Sequence, residues 1–247
     1  MNIAAFLDID GTLYRNSLMI EHFKKLVKYE VVDPGVWHTS VKDAFIEWRK
    51  RVGEYEDYML ELVDIYYAAL KGRRAADLEF ISNQVINLNG DIVYKYTRNR
   101  IYWHKQMGHK VFFISGSPDF LVEKMAKKYD IDGFRGTGYC TDPEGRYTGE
   151  VTPMWDSISK NQAIDELTAQ YDIDLSKSYA YGDTNGDYAM LLKVGNPVAI
   201  NPASDLLQNI KSHDILSKNT TIIVERKDVI YKLTPDVTII PGDLNES

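Results

Sequence analysis

The chain has 247 residues, 44% of them apolar and 26% charged, ordinary proportions for a globular protein that buries a core. Lys and Arg number 29 against 36 Asp and Glu, a formal net charge of −7 that opposes binding to nucleic acid or any other polyanion. The single Cys140 excludes an internal disulfide framework, and the opening MNIAAFLDIDG lacks the basic flank of a secretory leader. No stretch approaches the ~18 uninterrupted apolar residues of a membrane span. The expectation is a soluble, cytoplasmic protein whose partner is a small molecule, neither nucleic acid nor membrane.

Residues 3–7 form a short, partly β-branched apolar run that stops abruptly at Asp8, and the Asp-Gly-Thr that follows reads as a turn. A second such run at 111–114 ends at Ser115-Gly116-Ser117-Pro118. A third, at 179–181, ends at Gly182-Asp183-Thr184-Asn185-Gly186-Asp187. Residues 198–200 and 222–224 are further candidate strands. Helical periodicity fills the intervals, as at Leu121, Met125 and Ala126, at Ala163, Ile164 and Leu167, and over 189–192. Alternating strands and helices predict an α/β fold, a Rossmann-like, mostly parallel sheet with function at the carboxyl ends of its strands.

One interval breaks the rhythm. A βαβ unit needs roughly 30 residues, yet the first and second strands are separated by residues 8–110. Val41, Phe45, Trp48 and Val52 fall on one helical face, as do Tyr55, Met59, Leu62 and Tyr66, and Leu78, Ile81, Val85 and Leu88. Residues 15–88 therefore read as an inserted helical bundle capping a core of 1–14 and 89–247, with a helix over 91–107 leading back to the sheet. An insertion leaving the functional edge of a sheet is placed to cover a site. Later, 139–141 and 146–148 around Asp142-Pro143-Glu144-Gly145 predict a β-hairpin, and the tail after Pro241 reads as loose.

Asp8 and Asp10, two residues apart at a strand end, are the strongest local signal, because unpaired charges are rarely buried. A DxD pair alone also fits an acidic turn or the metal site of a nucleotide-sugar transferase. Asp183 and Asp187 form a second pair just past another strand. If both ends lie on one edge of the sheet, four acids converge and repel one another without a divalent cation. All-oxygen ligation favours Mg²⁺, and the five histidines show no paired spacing for zinc. Ser115 and Gly116 supply a hydroxyl and open backbone N–H groups before a helix, an anion cradle. Lys160 opens a predicted helix, where the macrodipole disfavours a cation; taken with the acids and Ser115, it is a candidate for neutralising phosphate oxygens.

The order of these motifs resembles the haloacid dehalogenase superfamily of phosphohydrolases, specifically its phosphoserine-phosphatase-like branch. The resemblance rests on Asp8-Ile9-Asp10-Gly11-Thr12, Ser115 after an apolar strand, Lys160, and Gly182-Asp183 with Asp187. The hairpin residues Arg146-Tyr147-Thr148-Gly149 and the helical insertion are similar as well. The resemblance implies that Asp8 attacks phosphorus to form an aspartyl-phosphate and that Asp10 is general acid and base. It also implies that Asp8, the Asp10 carbonyl and Asp183 hold Mg²⁺ with Asp187 in support, while Ser115, Gly116, Lys160 and the turn at Gly11 and Thr12 hold the phosphoryl group. Two positions depart from the pattern. Gly186 stands where phosphoserine phosphatases usually show asparagine, with Asn185 one residue early. Ser17 stands where they carry the glutamate that meets the substrate ammonium, with Glu21 a helical turn further on. Arg51 resembles their arginine for the substrate carboxylate.

The resulting expectation is a Mg²⁺-dependent phosphomonoesterase for a small phosphorylated metabolite, with phosphoserine not its preferred substrate. A phosphotransferase or mutase could use the same aspartate pair. A phospho-accepting signalling module also uses an acid cluster, a hydroxyl and a lysine, but needs no helical insertion and no Asp10.

Overall fold

The computed structural model describes residues 1–36, 42–50 and 55–240. Arg51 and the tail after Pro241 lie outside the described residues, as do the side chains of Phe45, Trp48 and Met59.

Eight strands make one sheet in the order β4-β3-β2-β1-β5-β6-β7-β8. They are β1 Ala4–Leu7, β2 Lys110–Pro118, β3 Gly133–Thr141, β4 Tyr147–Thr152, β5 Tyr179–Gly182, β6 Asn196–Ile200, β7 Thr221–Arg226 and β8 Val229–Leu233. The six inner strands pair in parallel, and β4 and β8 close the edges in antiparallel hairpins. The apolar run of β1 is buried on both sides, as a central parallel strand must be. Ala5 and Leu7 face a core shared with Ile101, Leu121 and Met125, whereas Ala4 and Phe6 face one with Ile164, Met190 and Leu206. Helices α6 (Lys95–Gln106) and α7 (Asp119–Tyr129) thus cover one face. Helices α8 (Ser157–Tyr171), α9 (Tyr188–Lys193) and α10 (Ser204–Ser212) cover the other, and a short α11 (Leu216–Asn219) precedes β7. Neighbouring β2 and β5 leave β1 in opposite directions, so the crevice above the ends of these three strands is the switch point where α/β sheets place their sites.

The insertion after β1 carries α1 (Leu18–Lys28), α2 (Pro34–Val36), α3 (Lys42–Lys50), α4 (Tyr55–Leu70) and α5 (Ala75–Asn89). Phe23, Leu26, Leu62, Tyr66 and Ile81 form its own core, joined by Tyr147 from β4. Among the described residues, main-chain hydrogen bonds tie the insertion to the core at its root and at its far side. At its root, Arg15 N–H donates to Ile92 O (3.0 Å) and Tyr94 N–H to Leu13 O (2.9 Å), with the Arg15 guanidinium 5.5 Å from the Tyr94 ring centroid. At its far side, the α4–α5 connection lies along the hairpin: Gly72 N–H donates to Tyr147 O (2.8 Å), Tyr147 N–H to Arg73 O (2.9 Å) and Ala75 N–H to Gly145 O (2.9 Å).

Three elements differ from the sequence reading. The helix expected over 91–107 starts at Lys95, because Glu225 accepts from the N–H groups of Lys95 (2.9 Å) and Tyr96 (2.8 Å) and so fixes its first turn. Strand β2 continues through Ser115-Gly116-Ser117 instead of stopping there, since β3 keeps pairing as far as Pro118–Thr137 beyond a register shift. Strand β8 is not among the expected strands: it is exposed along most of its length and follows a turn with Lys227 at φ 54°, without the usual Gly or Asn. Among the described residues no helix is long and apolar enough to cross a membrane.

Candidate active site

The turn after β1 is built by close main-chain contacts. Leu13 and Tyr14 donate their N–H groups to Ile9 O (2.9 and 2.7 Å), and Gly11 N–H donates to Tyr14 O (2.8 Å). Gly11 sits at φ 84°, and a Cβ there would lie 1.9 Å from Asp183 Oδ2. Only glycine meets both demands, the left-handed backbone and the close approach of a carboxylate. Thr12 donates its hydroxyl to Asp183 Oδ1 (2.9 Å), and Thr97 of α6 donates to Thr12 O (2.8 Å), locking the turn onto the sheet.

Asp8, Asp183 and Asp187 each bring a carboxylate oxygen within 4.8 Å of the others. Lys160, buried on the first turn of α8, donates to Asp8 Oδ1 (2.8 Å) and Asp187 Oδ1 (2.5 Å). The other oxygen of Asp187 accepts the N–H groups of Asp183 (3.0 Å) and Thr184 (3.1 Å), closing a capping box over the 3₁₀ turn Asn185–Asp187. Asp187 is therefore spent on the lysine and the turn. Asp8 Oδ2 and Asp183 Oδ2 have no hydrogen-bond donor among the described residues.

The charges do not balance. Burial pushes the Asp8 carboxyl up to about 8 against the pull of Lys160, with Asp187 and Asp10 adding repulsion. Asp183 is held well above the usual carboxylate range by burial, then by Asp8 and Asp187. Burial opposes the Lys160 ammonium, but Asp187 and Asp8 outweigh it and keep it charged. One ammonium cannot neutralise Asp8, Asp10, Asp183 and Asp187, and the two open oxygens are hard donors of the kind Mg²⁺ takes. The residues present fit that ion, with Asp8 and Asp183 as the side-chain ligands and Asp187 as the group that orients Lys160 and the Asp183 turn.

Asp10 is raised by burial and restrained by three donors. Leu18 N–H donates to Oδ1 (3.0 Å), and the hydroxyls of Ser17 (3.1 Å) and Ser117 (2.5 Å) donate to Oδ2. Ser17, expected to face the substrate, is buried, caps α1 and turns to Asp10 instead. Glu21 is also engaged: Lys24 donates to Oε1 (2.8 Å) and Asn89 to Oε2 (3.0 Å). Ser115 is fully buried within β2, where its hydroxyl oxygen accepts Ser117 N–H (3.3 Å). Gly116 lies against Trp155, whose Cβ would be 3.1 Å from an added Cβ.

The departure at 186 has a steric cause. A Cβ on Gly186 would meet the Trp155 carbonyl at 2.6 Å, and Asn185 is turned outward, its Oδ1 accepting from Asn209 (2.7 Å). Ser117 went unrecognised as a site residue because Ser-Gly-Ser-Pro reads as a turn. No strand alternation marked it, because the pairing of β2 with β3 shifts register between Ile114 and Pro118.

The family model for haloacid dehalogenase-like hydrolases matches residues 5–192. Among curated relatives, the chain is 28% identical over 201 residues to the inhibition of morphological differentiation protein of Streptomyces azureus, covering 81% of this chain and 72% of that one. It is 26% identical over 223 residues to a histidinol-phosphatase of Neisseria meningitidis serogroup C, covering 85% and 95%. In fold it is similar to a phosphoserine phosphatase solved as a phospho-aspartyl intermediate analogue, with a TM-score of 0.57 and 20% identity over 84% of this chain and 90% of that one.

Proposed function

The chain belongs to the haloacid dehalogenase-like hydrolases, and we propose that it is a Mg²⁺-dependent phosphatase that cleaves a small phosphomonoester through an aspartyl-phosphate on Asp8. The observation that carries this reading is the excess of buried carboxylate past the ends of β1 and β5, which one buried ammonium leaves uncompensated. In the first step an Asp8 oxygen attacks phosphorus as the ester oxygen departs and takes a proton from Asp10. In the second, Asp10 removes a proton from water, whose oxygen attacks phosphorus and releases Asp8. Lys160, Ser115 and the N–H groups of the turns at Gly11 and Gly116 hold the phosphoryl oxygens, so catalysis is mainly positioning and charge compensation. Mg²⁺, when bound, offsets the repulsion between the nucleophile and the phosphate dianion. Residues 15–88 act as the cap over this site, and the enzyme works in the cytoplasm.

Phosphoserine is not the preferred ester. Its ammonium would need a carboxylate, and a charged hydrogen bond there returns about 1.5–3 kcal/mol. Ser17 is turned to Asp10, and both oxygens of Glu21 already have donors. The test is phosphate release from a panel of small phosphate esters, with Mg²⁺ and with a chelator. Activity that survives chelation would remove the metal from the reaction. A phosphoserine kcat/KM leading the panel by more than about tenfold, 1.4 kcal/mol of discrimination, would overturn the substrate reading. Persistent phospho-Asp8 without phosphate release would point instead to the signalling class.

A further inference from the structure

We infer that Ser117 is a positioning residue which, together with Ser17, saturates one oxygen of Asp10 and thereby assigns the catalytic proton to the other, Oδ1. The inference rests on the phosphatase reading above.

A carboxylate oxygen offers two lone pairs. Those of Asp10 Oδ2 are both met, by the Ser117 hydroxyl at 2.5 Å and the Ser17 hydroxyl at 3.1 Å. Among the described residues Oδ1 accepts a single donor, the Leu18 N–H at 3.0 Å, which leaves one lone pair for a proton. The two hydroxyls are not free to turn elsewhere. Ser17 Oγ also accepts Ile20 N–H (3.5 Å) as the cap of α1, so its own hydrogen is left for Asp10. Ser117 is 2% exposed and Ser17 4%, which denies them water as a substitute partner.

The two serines come from different parts of the molecule. Ser117 lies on β2, with its main-chain N–H bound to Ser115 Oγ at 3.3 Å, and so belongs to the sheet. Ser17 and Leu18 begin the first helix of the insertion. Asp10 is thus gripped from the sheet on one side and from the root of the insertion on the other, and its plane is fixed.

The proton balance follows. As the Asp8–phosphorus bond forms and the ester P–O bond breaks, the proton on Asp10 Oδ1 passes to the departing oxygen. As water attacks and the Asp8–phosphorus bond breaks, a water proton returns to Oδ1. Deleting the Ser117 hydroxyl opens a lone pair on Oδ2, so the proton divides between two oxygens in place of being held on Oδ1.

The experiment measures steady-state kinetics of Ser117→Ala and Ser117→Thr on an alkyl phosphate and an aryl phosphate, each also in an Asp10→Asn background. General acid–base help is worth about 10²–10⁴-fold, and Ser117→Ala should forfeit at least about tenfold of it in kcat on the alkyl ester, with KM nearly constant. The loss should be several-fold smaller on the aryl ester, whose leaving group needs less protonation, and Ser117→Thr should recover most of the rate. In the Asp10→Asn background the added Ser117→Ala should cost less than about twofold, because the proton it directs is gone. Calorimetric Mg²⁺ affinity should be the same with and without the Ser117 hydroxyl. Equal losses on the two esters, or a Ser117→Ala loss that persists in Asp10→Asn, would overturn the inference. If Ser117→Ala fails to fold, Ser117→Cys, which keeps a weak donor, takes its place in the same comparison. Wild-type protein that releases phosphate from neither ester would overturn the phosphatase reading and this inference together, an outcome distinct from either of those.

Discussion

At position 11 a side chain meets two obstacles at once: a backbone φ of 84° and the Asp183 carboxylate 1.9 Å from where a Cβ would stand. Gly11→Ala must therefore displace Asp183, which also loses its alignment with the Thr12 hydroxyl. The strained backbone costs roughly 1–2 kcal/mol of stability, and Mg²⁺ affinity measured by calorimetry should fall by more than about tenfold. Asp8→Asn separates chemistry from folding. It removes the nucleophile and one metal ligand, so turnover should drop by more than about 10³-fold, and a mutant within tenfold of the parent would exclude Asp8 as the nucleophile. It also relieves a carboxylate that burial disfavours and that Asp187 and Asp10 repel. The thermal midpoint of the metal-free variant should accordingly rise above that of the parent.

Elements buried on both faces were legible in the sequence, because β1 and the first part of β2 are short apolar runs ending where charge or glycine begins. The four acids were legible because charge just past a buried strand needs a partner, and Lys160 because a cation is out of place at the start of a helix. What escaped was set by contacts distant in sequence. Glu225 trims the start of α6 across 130 positions, and Ser117 gains its meaning from Asp10, 107 positions earlier. The main-chain clip between residues 72–75 and the hairpin was invisible too, since it uses N–H and C=O groups that every residue carries. Tyr147 makes that clip testable. Its backbone joins the clip while its ring, 6% exposed, packs into the insertion's core beside Phe120 and Tyr139. Tyr147→Ala should cost about 3–5 kcal/mol, the range for deleting a buried aromatic. Amide exchange should accelerate at 71–75 and in α4 and α5 while β1 and β5 stay protected. Uniform acceleration across the sheet would show that insertion and sheet unfold as one unit.

Across the whole molecule, two fully buried histidines make stability depend on acid in a direction that can be worked out. His22 bridges Tyr66 (2.7 Å) and Ser82 (3.3 Å) inside the insertion. His104 bridges Tyr181 (2.8 Å) and His109 (2.9 Å) behind the sheet, near Arg100. Burial lowers each to about 3, with Arg100 and His109 adding to the effect at His104. Unfolded, each titrates near 6.5. Between those values the unfolded chain binds a proton that the native chain refuses, so stability falls as pH falls, by up to about 1.4 kcal/mol per pH unit for each histidine. The buried carboxylates act with the opposite sign: Asp8, Asp10 and Asp183 are raised, so the native state takes up their protons first on acidification. A raw stability curve mixes the two effects, but a difference curve does not. His22→Gln leaves the acid cluster untouched, and subtracting its denaturant-unfolding free energy from that of the parent isolates the histidine. From pH 7 to pH 5 that difference should move against the parent by roughly 2 kcal/mol, the cost of keeping one imidazole neutral across that interval. The same subtraction for His104→Gln should give a similar slope. A difference that stays flat with pH would mean that the imidazole gains its proton inside the folded protein, with the Tyr66 and Ser82 oxygens accepting from both of its nitrogens.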